Sequence, residues 1–154
     1  MDPRLARALV AWLSARDARL GGRVRPSFEQ PGTSGPFVVY TQVSAVRTGN
    51  MERRTGQTTV RVQIDVWGRD HAVAADIAQT ICGTGTETDP AARGLDYFAG
   101  TWTDPDHTGT PVVIQFARLV DGSRFADDAP PQNGTEEGWY RFSADYLIDY
   151  EEIT

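Results

Sequence analysis

The feature that most constrains this chain is a strict two-residue alternation of apolar and polar side chains in two separate segments. In the first, residues 58–67, apolar side chains occupy Val60, Val62, Ile64 and Val66. In the second, residues 140–150, aromatic and aliphatic side chains alternate with polar ones in the same way. Successive strand residues point to opposite sides of a sheet, so this period predicts two long strands, each with one buried face.

An apolar run that begins at Phe37 predicts another strand, upstream of the first. It follows residues 24–36, which are rich in proline, glycine and serine and which we interpret as a loop, and it continues to about Arg47. Turn-prone residues over 48–56 then lead into the strand at 58–67, which predicts a long β-hairpin. At about 3.3 Å per residue, each arm would be roughly 30–40 Å long.

Two helices are predicted, each by a capping residue at its start and by glycines at its end. Asp2 and Pro3 start the first, whose apolar residues at near-helical spacing are Leu5, Leu9, Trp12, Leu13 and Leu20, before Gly21 and Gly22. Asp70 caps the second, whose predicted buried stripe is Ala74, Ile77, Ala78 and Ile81, before Gly83 and Gly85.

The order of these elements defines the fold class. Residues 112–120 predict one further strand and residues 95–103 a short one, whereas most of 83–110 and all of 121–138 are predicted to be loops or insertions. A chain of 154 residues fits one domain over 1–154. We therefore expect an α+β fold, with a mixed or antiparallel sheet, a long β-hairpin and two helices packed on one face.

Charge is distributed unevenly along the chain. Residues 1–77 hold eleven arginines against seven acidic residues, and residues 78–154 hold four against fourteen, so the halves have opposite sign. With a net charge of -6, sequence-specific nucleic-acid binding is disfavoured, and a second copy of the chain is a better partner. The absence of lysine excludes Schiff-base chemistry and a P-loop, and no apolar run reaches the roughly 20 residues that a membrane span needs.

Two constellations could carry chemistry, and each has a simpler interpretation. Asp104, Asp106 and His107 stand close together as hard-metal ligands do, but the further oxygen ligands of a calcium loop are missing and turn chemistry explains them. Cys82 with His71 or His107 could form a nucleophile and base, but it follows a buried helical stripe, where cysteine behaves as a small hydrophobe. We therefore predict no catalytic residue, metal site or cofactor; the alternative is a small monomeric metal-dependent enzyme or ligand-binding protein.

Three stretches of the sequence resemble one family of proteins. They are Pro36-Phe37-Val38-Val39-Tyr40 with Gln42-Val43, then Val60-Arg61-Val62-Gln63-Ile64-Asp65-Val66-Trp67, then the alanine-rich helix over 70–81. In this order they resemble the tail terminator, or tail completion, proteins of long-tailed phages. The resemblance extends to the final strand and departs from the family over residues 84–109.

The resemblance implies a structural virion protein without catalysis. Six copies would form a ring at the head-proximal end of the tail tube, stop its growth and offer a surface for head joining. The implied partners are further copies, the tail tube protein and head-tail connector or stopper proteins, and DNA would pass through the ring lumen. A connector or stopper component is the alternative within phage structure.

The residues that we expect at such an interface are charged, and several lie at or near the predicted hairpin tip. They are Arg47, Glu52, Arg53, Arg54, Asp127, Asp128, Glu136 and Glu137. The simpler interpretation is solvated charge, which is the usual role of charged turns.

Overall fold

Seven strands form the sheet of this protein, which a computed structural model describes over residues 1–26, 35–49, 54–83, 87–88, 93–120, 126–128 and 139–151. They are β1 (Val24–Pro26), β2 (Phe37–Gly49), β3 (Arg54–Gly68), β4 (Gly100–Trp102), β5 (Val112–Leu119), β6 (Ala126–Asp128) and β7 (Tyr140–Glu151). Their order is β1-β2-β3-β7-β5-β4, with β6 paired to β7, and only β1 and β2 run parallel. The predicted mixed sheet with a long hairpin is confirmed.

The two alternating segments lie side by side in the sheet. β3 and β7 are antiparallel, with Val62 opposite Tyr146 and Ile64 opposite Ala144, and all four side chains are buried. The polar residues between them face the other side, which no helix covers among the described residues. Burying one large aliphatic side chain contributes about 1.5–3 kcal/mol, so this shared face contributes substantially to stability.

Two helices cover that apolar face, as predicted. α1 (Pro3–Arg16) buries Leu5, Ala8, Leu9 and Leu13, and α2 (His71–Cys82) buries Ala74, Ile77, Ala78 and Ile81. The Asp2 side chain accepts a hydrogen bond from the backbone N–H of Arg4, and the Asp70 side chain accepts from those of Ala72 and Val73. Neither helix is long and apolar enough to cross a membrane.

The first helix ends earlier than its apolar spacing predicts. Asp17 is extended, with φ -145°, and its side chain caps a separate 3-10 turn over Ala18–Leu20. Leu20 remains fully buried in spite of the break. The apolar spacing in the sequence continues past Arg16 because the 3-10 turn places Leu20 in the same core that α1 contacts.

The end of α2 is capped by chain that returns to it. The backbone N–H groups of Leu95 and Asp96 donate to the carbonyls of Ile81 and Cys82 at 2.7 and 2.9 Å. These bonds satisfy two of the carbonyls that a helix end leaves without partners. Leu95, the first residue of the short strand predicted over 95–103, is fully buried, so this segment contributes to the core.

Two short strands lie in segments that the sequence predicts to be loops. β1 lies within residues 24–36 and pairs with Val38, Val39 and Tyr40, whereas β6 lies within residues 121–138 and pairs with β7. Each has three residues, which is too short for an alternating pattern to be visible. The short strand predicted over 95–103 is limited to Gly100–Trp102.

Candidate interaction surface

The distal part of β2 is exposed, although Thr58 and Val60 on the other arm of the hairpin are buried. Every residue over 42–48 is exposed, including Val43 at 50% and Val46 at 64% of their full accessible area. A β-bulge at Val43 places Gln42 opposite Val62 but Ser44 opposite Arg61. Bulges increase local twist and commonly lie at sheet edges, so this arm is bent relative to the rest of β2.

A groove of about 500 Å³ lies between this arm and the start of α1. Its lining residues come from the N-terminus, from both arms of the hairpin and from β7: Met1, Asp2, Pro3, Gln42, Ala45, Arg47, Thr58, Val60 and Tyr150. Ala45 and Arg47 therefore face the helix side of the sheet. The groove lies at the end of the core face of the sheet, where the described side chains of this domain do not fill the space.

The opposite face of the sheet carries an ordered polar network. Arg61 on β3 donates to Asp145 on β7 at 3.0 Å. Arg141 donates to Asp65 at 3.1 Å, and the same carboxylate accepts a hydrogen bond from Gln63. Asp65 is only 6% exposed, so its charge is matched within the domain.

One end of that open face also carries an aromatic cluster that the sequence analysis missed. Phe37 stacks on Trp67 with ring centroids 6.1 Å apart, and Trp139 meets Phe37 edge-on at 5.4 Å. The guanidinium of Arg141 lies over Trp67 and that of Arg69 over Trp139. Phe37 begins β2 and pairs with Trp67, which lies next to the end of β3. An aromatic residue at each of these strand ends was the signal available in the sequence.

The residues predicted at an interface fall into three groups. Arg47 is exposed on β2, and Arg54 begins β3, where it is paired with Gly49. Asp127 and Asp128 lie on β6, paired with Phe142 and Arg141 of β7. The remaining predicted residues, Glu52, Arg53, Glu136 and Glu137, lie outside the described residues.

The two described groups lie at opposite ends of the sheet. The strand end that carries Arg47 and Arg54 is the end at which Gln57 pairs with Glu151, whereas β6 pairs with the beginning of β7. Some ten residues of β7 separate these levels, which is roughly 30 Å of strand. The arginines and the aspartates predicted at an interface therefore lie at opposite ends of a shared sheet.

The Asp104 cluster is held together by internal bonds. The carboxylate of Asp104 is fully buried and accepts hydrogen bonds from the Arg7 guanidinium at 2.8 Å and from the backbone N–H of Asp106 at 3.0 Å. Nδ1 of His107 lies 3.0 Å from it as well. Arg7 above all, then the Asp106 N–H and His107, hold the pKa of this carboxyl well below its ordinary value of 3.8. Because an arginine occupies the carboxylate oxygens, the cluster is better suited to join α1 to the turn after β4 than to bind a cation.

Cys82 and His71 lie at opposite ends of α2. Eleven residues of helix separate them by roughly 16 Å, which is too far for a nucleophile and its base. The Cys82 thiol lies 3.2 Å from the carbonyl of Gly83, and His71 packs edge-on against Tyr140 and Phe142. His107 lies in the turn after β4, where its Nδ1 contacts Asp104.

Comparison with known proteins identifies the fold. No protein-family model matches the chain, and no curated protein matches it. Among solved structures, it is similar to a chain from one described as the virion of a native gene transfer agent particle. The TM-score is 0.59 at 11% sequence identity, and the match covers 98% of this chain and 99% of the other. At that identity, the similarity shows a shared fold along the whole chain.

Proposed function

We propose that this protein is a structural component of a tailed-phage-like virion and, within that class, a tail terminator. The observation that carries the proposal is the fold, which matches a chain of a gene transfer agent virion along 98% of this chain. A separate basis is the resemblance of the hairpin and α2 motifs to tail terminators. The first line uses backbone geometry, and the second uses residue identities.

The exposed arm of the hairpin supports a role in assembly. Val43 and Val46 are 50% and 64% exposed, so they contribute little to the core of their own domain. Val46 pairs with Thr59 and faces the side of the sheet opposite to the groove. Apolar side chains exposed near one another are typical of a surface that binds another protein. The arm is therefore available for contact with a neighbouring subunit or with the tail tube.

The positions of the predicted interface residues support a ring. Arg47 and Arg54 lie at one strand end, and Asp127 and Asp128 at the other. Two different surfaces with residues of opposite charge can join copies head to tail. A head-to-tail contact closes into a ring when the rotation between copies allows it. In our proposal six copies form this ring at the head-proximal end of the tail.

The mechanism is geometric and noncovalent. One face of the ring binds the last ring of tail tube protein, and the closed ring presents no site at which another tube subunit can add. The opposite face joins head-tail connector or stopper proteins, and DNA passes through the lumen. The buried, arginine-bound Asp104 offers less support for an enzyme, because its oxygens already accept internal hydrogen bonds.

Native mass spectrometry of the purified protein, alone and with tail tubes from the same particle, tests this proposal. We expect a species of six subunits, free or formed only on tubes, and tubes that no longer elongate when the protein is added. A chain that remains a monomer in both samples would overturn the proposal. Rings that bind connector proteins without stopping tubes would assign the protein to the connector instead.

A matched pair of variants at Val46 localises the contact. Val46→Glu places a carboxylate on the exposed arm, whereas Val46→Thr keeps the same branched shape. We expect V46E to lower the fraction of six-subunit species at equal concentration and V46T to change it little. Circular dichroism should show both variants folded, since Val46 is 64% exposed.

A further inference from the structure

Tyr97 has a backbone conformation that few tyrosines adopt. Its φ is 59°, and among the described residues it is the only one other than glycine with a positive φ. The left-handed region brings Cβ too close to the following carbonyl oxygen, so a bulky residue there is strained. Such strain is concentrated at binding and switch sites, which makes this side chain a candidate for a functional contact.

The turn that carries Tyr97 is fixed on both sides. The backbone N–H of Phe98 donates to the carbonyl of Leu95 at 3.3 Å and closes the turn. The Asp96 side chain accepts a hydrogen bond from the Tyr146 hydroxyl at 2.9 Å, and both Leu95 and Phe98 are buried. A side chain on such a turn is already positioned before it meets a partner, so its binding costs little conformational entropy.

The Tyr97 side chain is presented to the outside of the domain. The residue is 66% exposed, which is more than Val43 or Val46, and its ring lies beside that of Phe116 on β5 with centroids 6.0 Å apart. Tyrosine is enriched among the residues that dominate binding energy at protein interfaces, because it offers a large contact area with few rotatable bonds. Tyr97 therefore has the properties of an anchor for a second molecule.

The groove beside the N-terminus has the size and the lining to receive such an anchor. Its volume is about 500 Å³. Clefts of roughly 300–1,000 Å³ hold ligands larger than one phenol ring. Met1, Pro3 and Val60 contribute apolar groups to its lining, and Gln42 and Thr58 contribute polar ones. A tyrosine side chain combines an apolar ring with a polar hydroxyl, so its chemistry matches this lining.

The groove and Tyr97 lie on opposite faces of the sheet. Tyr97 lies beside Phe116, which pairs with Asp149, whereas the next residue of β7, Tyr150, lines the groove. Successive residues of a strand face opposite sides, so the sheet lies between the two features. Tyr97 can therefore enter a groove of this kind only in another copy of the chain.

We propose that Tyr97 of one copy of this protein inserts into the groove of the next copy. This inference rests on the proposed ring and names one of its contacts. Burial of the aromatic ring supplies affinity, and the polar groups of the groove orient the hydroxyl. Because each copy offers one Tyr97 and one groove, the contact repeats in one direction around a closed ring.

Paired variants on each side of the contact test the proposal. Tyr97→Asn removes the aromatic ring and suits the left-handed backbone, whereas Tyr97→Phe keeps the ring as a control. Ala45→Trp fills the groove, whereas Ser44→Trp adds the same bulk to the other face of β2. By native mass spectrometry, Y97N and A45W should each form at least about tenfold less ring than wild type at equal concentration. Y97F and S44W should still form rings.

Mixing the two defective variants tests the direction of the contact. Y97N keeps its groove and A45W keeps its Tyr97, so one contact can form between them although the ring cannot close. At raised concentration we expect heterodimers in excess over either homodimer, which native mass spectrometry resolves by mass. Heterodimers no more abundant than the homodimers would overturn the insertion.

The outcomes separate this inference from the proposed function. Wild-type protein that forms no ring, alone or on tubes, overturns the proposed function. Wild-type rings together with normal rings from folded Y97N or A45W overturn only the insertion of Tyr97. Equal loss of rings in A45W and S44W would overturn the groove as the binding site. Circular dichroism checks that each variant folds, and if one does not, the variant on the other side of the contact decides.

Discussion

Arg7 and Asp104 lie 97 residues apart in the chain, and Nη2 of the arginine is 2.8 Å from Oδ2 of the aspartate. The aspartate side chain is fully buried, whereas 39% of the arginine side chain is exposed. The pair connects the first helix to the turn between β4 and β5. Two predictions depend on it.

Replacing the aspartate by its amide should destabilise the fold. Asp104→Asn removes the charge and turns an amide donor toward the donors of Arg7, so we expect the thermal unfolding midpoint at pH 7 to fall by several degrees. Asp106→Asn is the matched control, because its side chain is 70% exposed and its removal should change stability by less than about 0.5 kcal/mol. Equal losses in D104N and D106N would contradict a structural role for the buried carboxylate.

The stabilising effect of Asp104 should depend on pH in one direction. Its pKa in the folded protein is lowered from 3.8, mainly by Arg7, so the unfolded chain takes up the proton first as the solution is acidified. The contribution is therefore complete above about pH 5 and is lost as pH falls through the lowered folded value. Urea unfolding of wild type and D104N at several pH values should show a difference that narrows below about pH 4. A difference that widens with acid would refute this assignment.

The start of the second helix depends on one side chain. Asp70 accepts hydrogen bonds from the N–H groups of Ala72 and Val73 at 2.9 and 3.2 Å. Asp70→Ala should lower the free energy of unfolding by about 1 kcal/mol, whereas Asp70→Ser retains a capping oxygen and should stay close to wild type. Chemical denaturation measures both. Indistinguishable D70A and D70S variants would show that the cap contributes nothing.

Substitutions at two glycines distinguish the cost of backbone strain from the cost of close packing. Gly22 and Gly83 both have φ of +70°, but a Cβ on Gly22 would meet open space, whereas one on Gly83 would lie 2.7 Å from the backbone nitrogen of Gly94. Gly83 also has ψ of -176°, a combination that only glycine readily adopts. We expect Gly22→Ala to cost about 1 kcal/mol and Gly83→Ala at least about twice that, measured by denaturant titration. A larger loss in G22A than in G83A would contradict this order.

Local signals in the sequence predicted the elements that are long or capped. The alternation around Ile64 and Tyr146 predicted two strands and their buried face, and Asp70 with Gly83 predicted the helix ends to within about one residue. β1 and β6 were not predicted, because a strand of three residues is too short to show a two-residue alternation. Each is defined by its pairing with a longer strand elsewhere in the chain. The break after Arg16 was also missed, since Leu20 keeps its apolar position across it.

The candidate surface was predicted less completely than the fold. Arg47 is exposed on β2, but nothing near it in the sequence shows that β1 pairs with Val38, Val39 and Tyr40. The burial of Asp104 depends on Arg7, which local pattern cannot pair with it. Properties that depend on where one strand stops beside another become visible only once the sheet is assembled.

The bulge at Val43 changes the direction of the outer arm of β2 but not which side chains lie on each face of the sheet. Ala45 faces the groove because it lies opposite Val60, and that pairing would persist in a chain that lacked Val43. The extra residue instead sets the angle at which the outer arm leaves the domain. Related chains could therefore change where this arm points, by gaining or losing one residue, while every side chain beyond it keeps its side of the sheet.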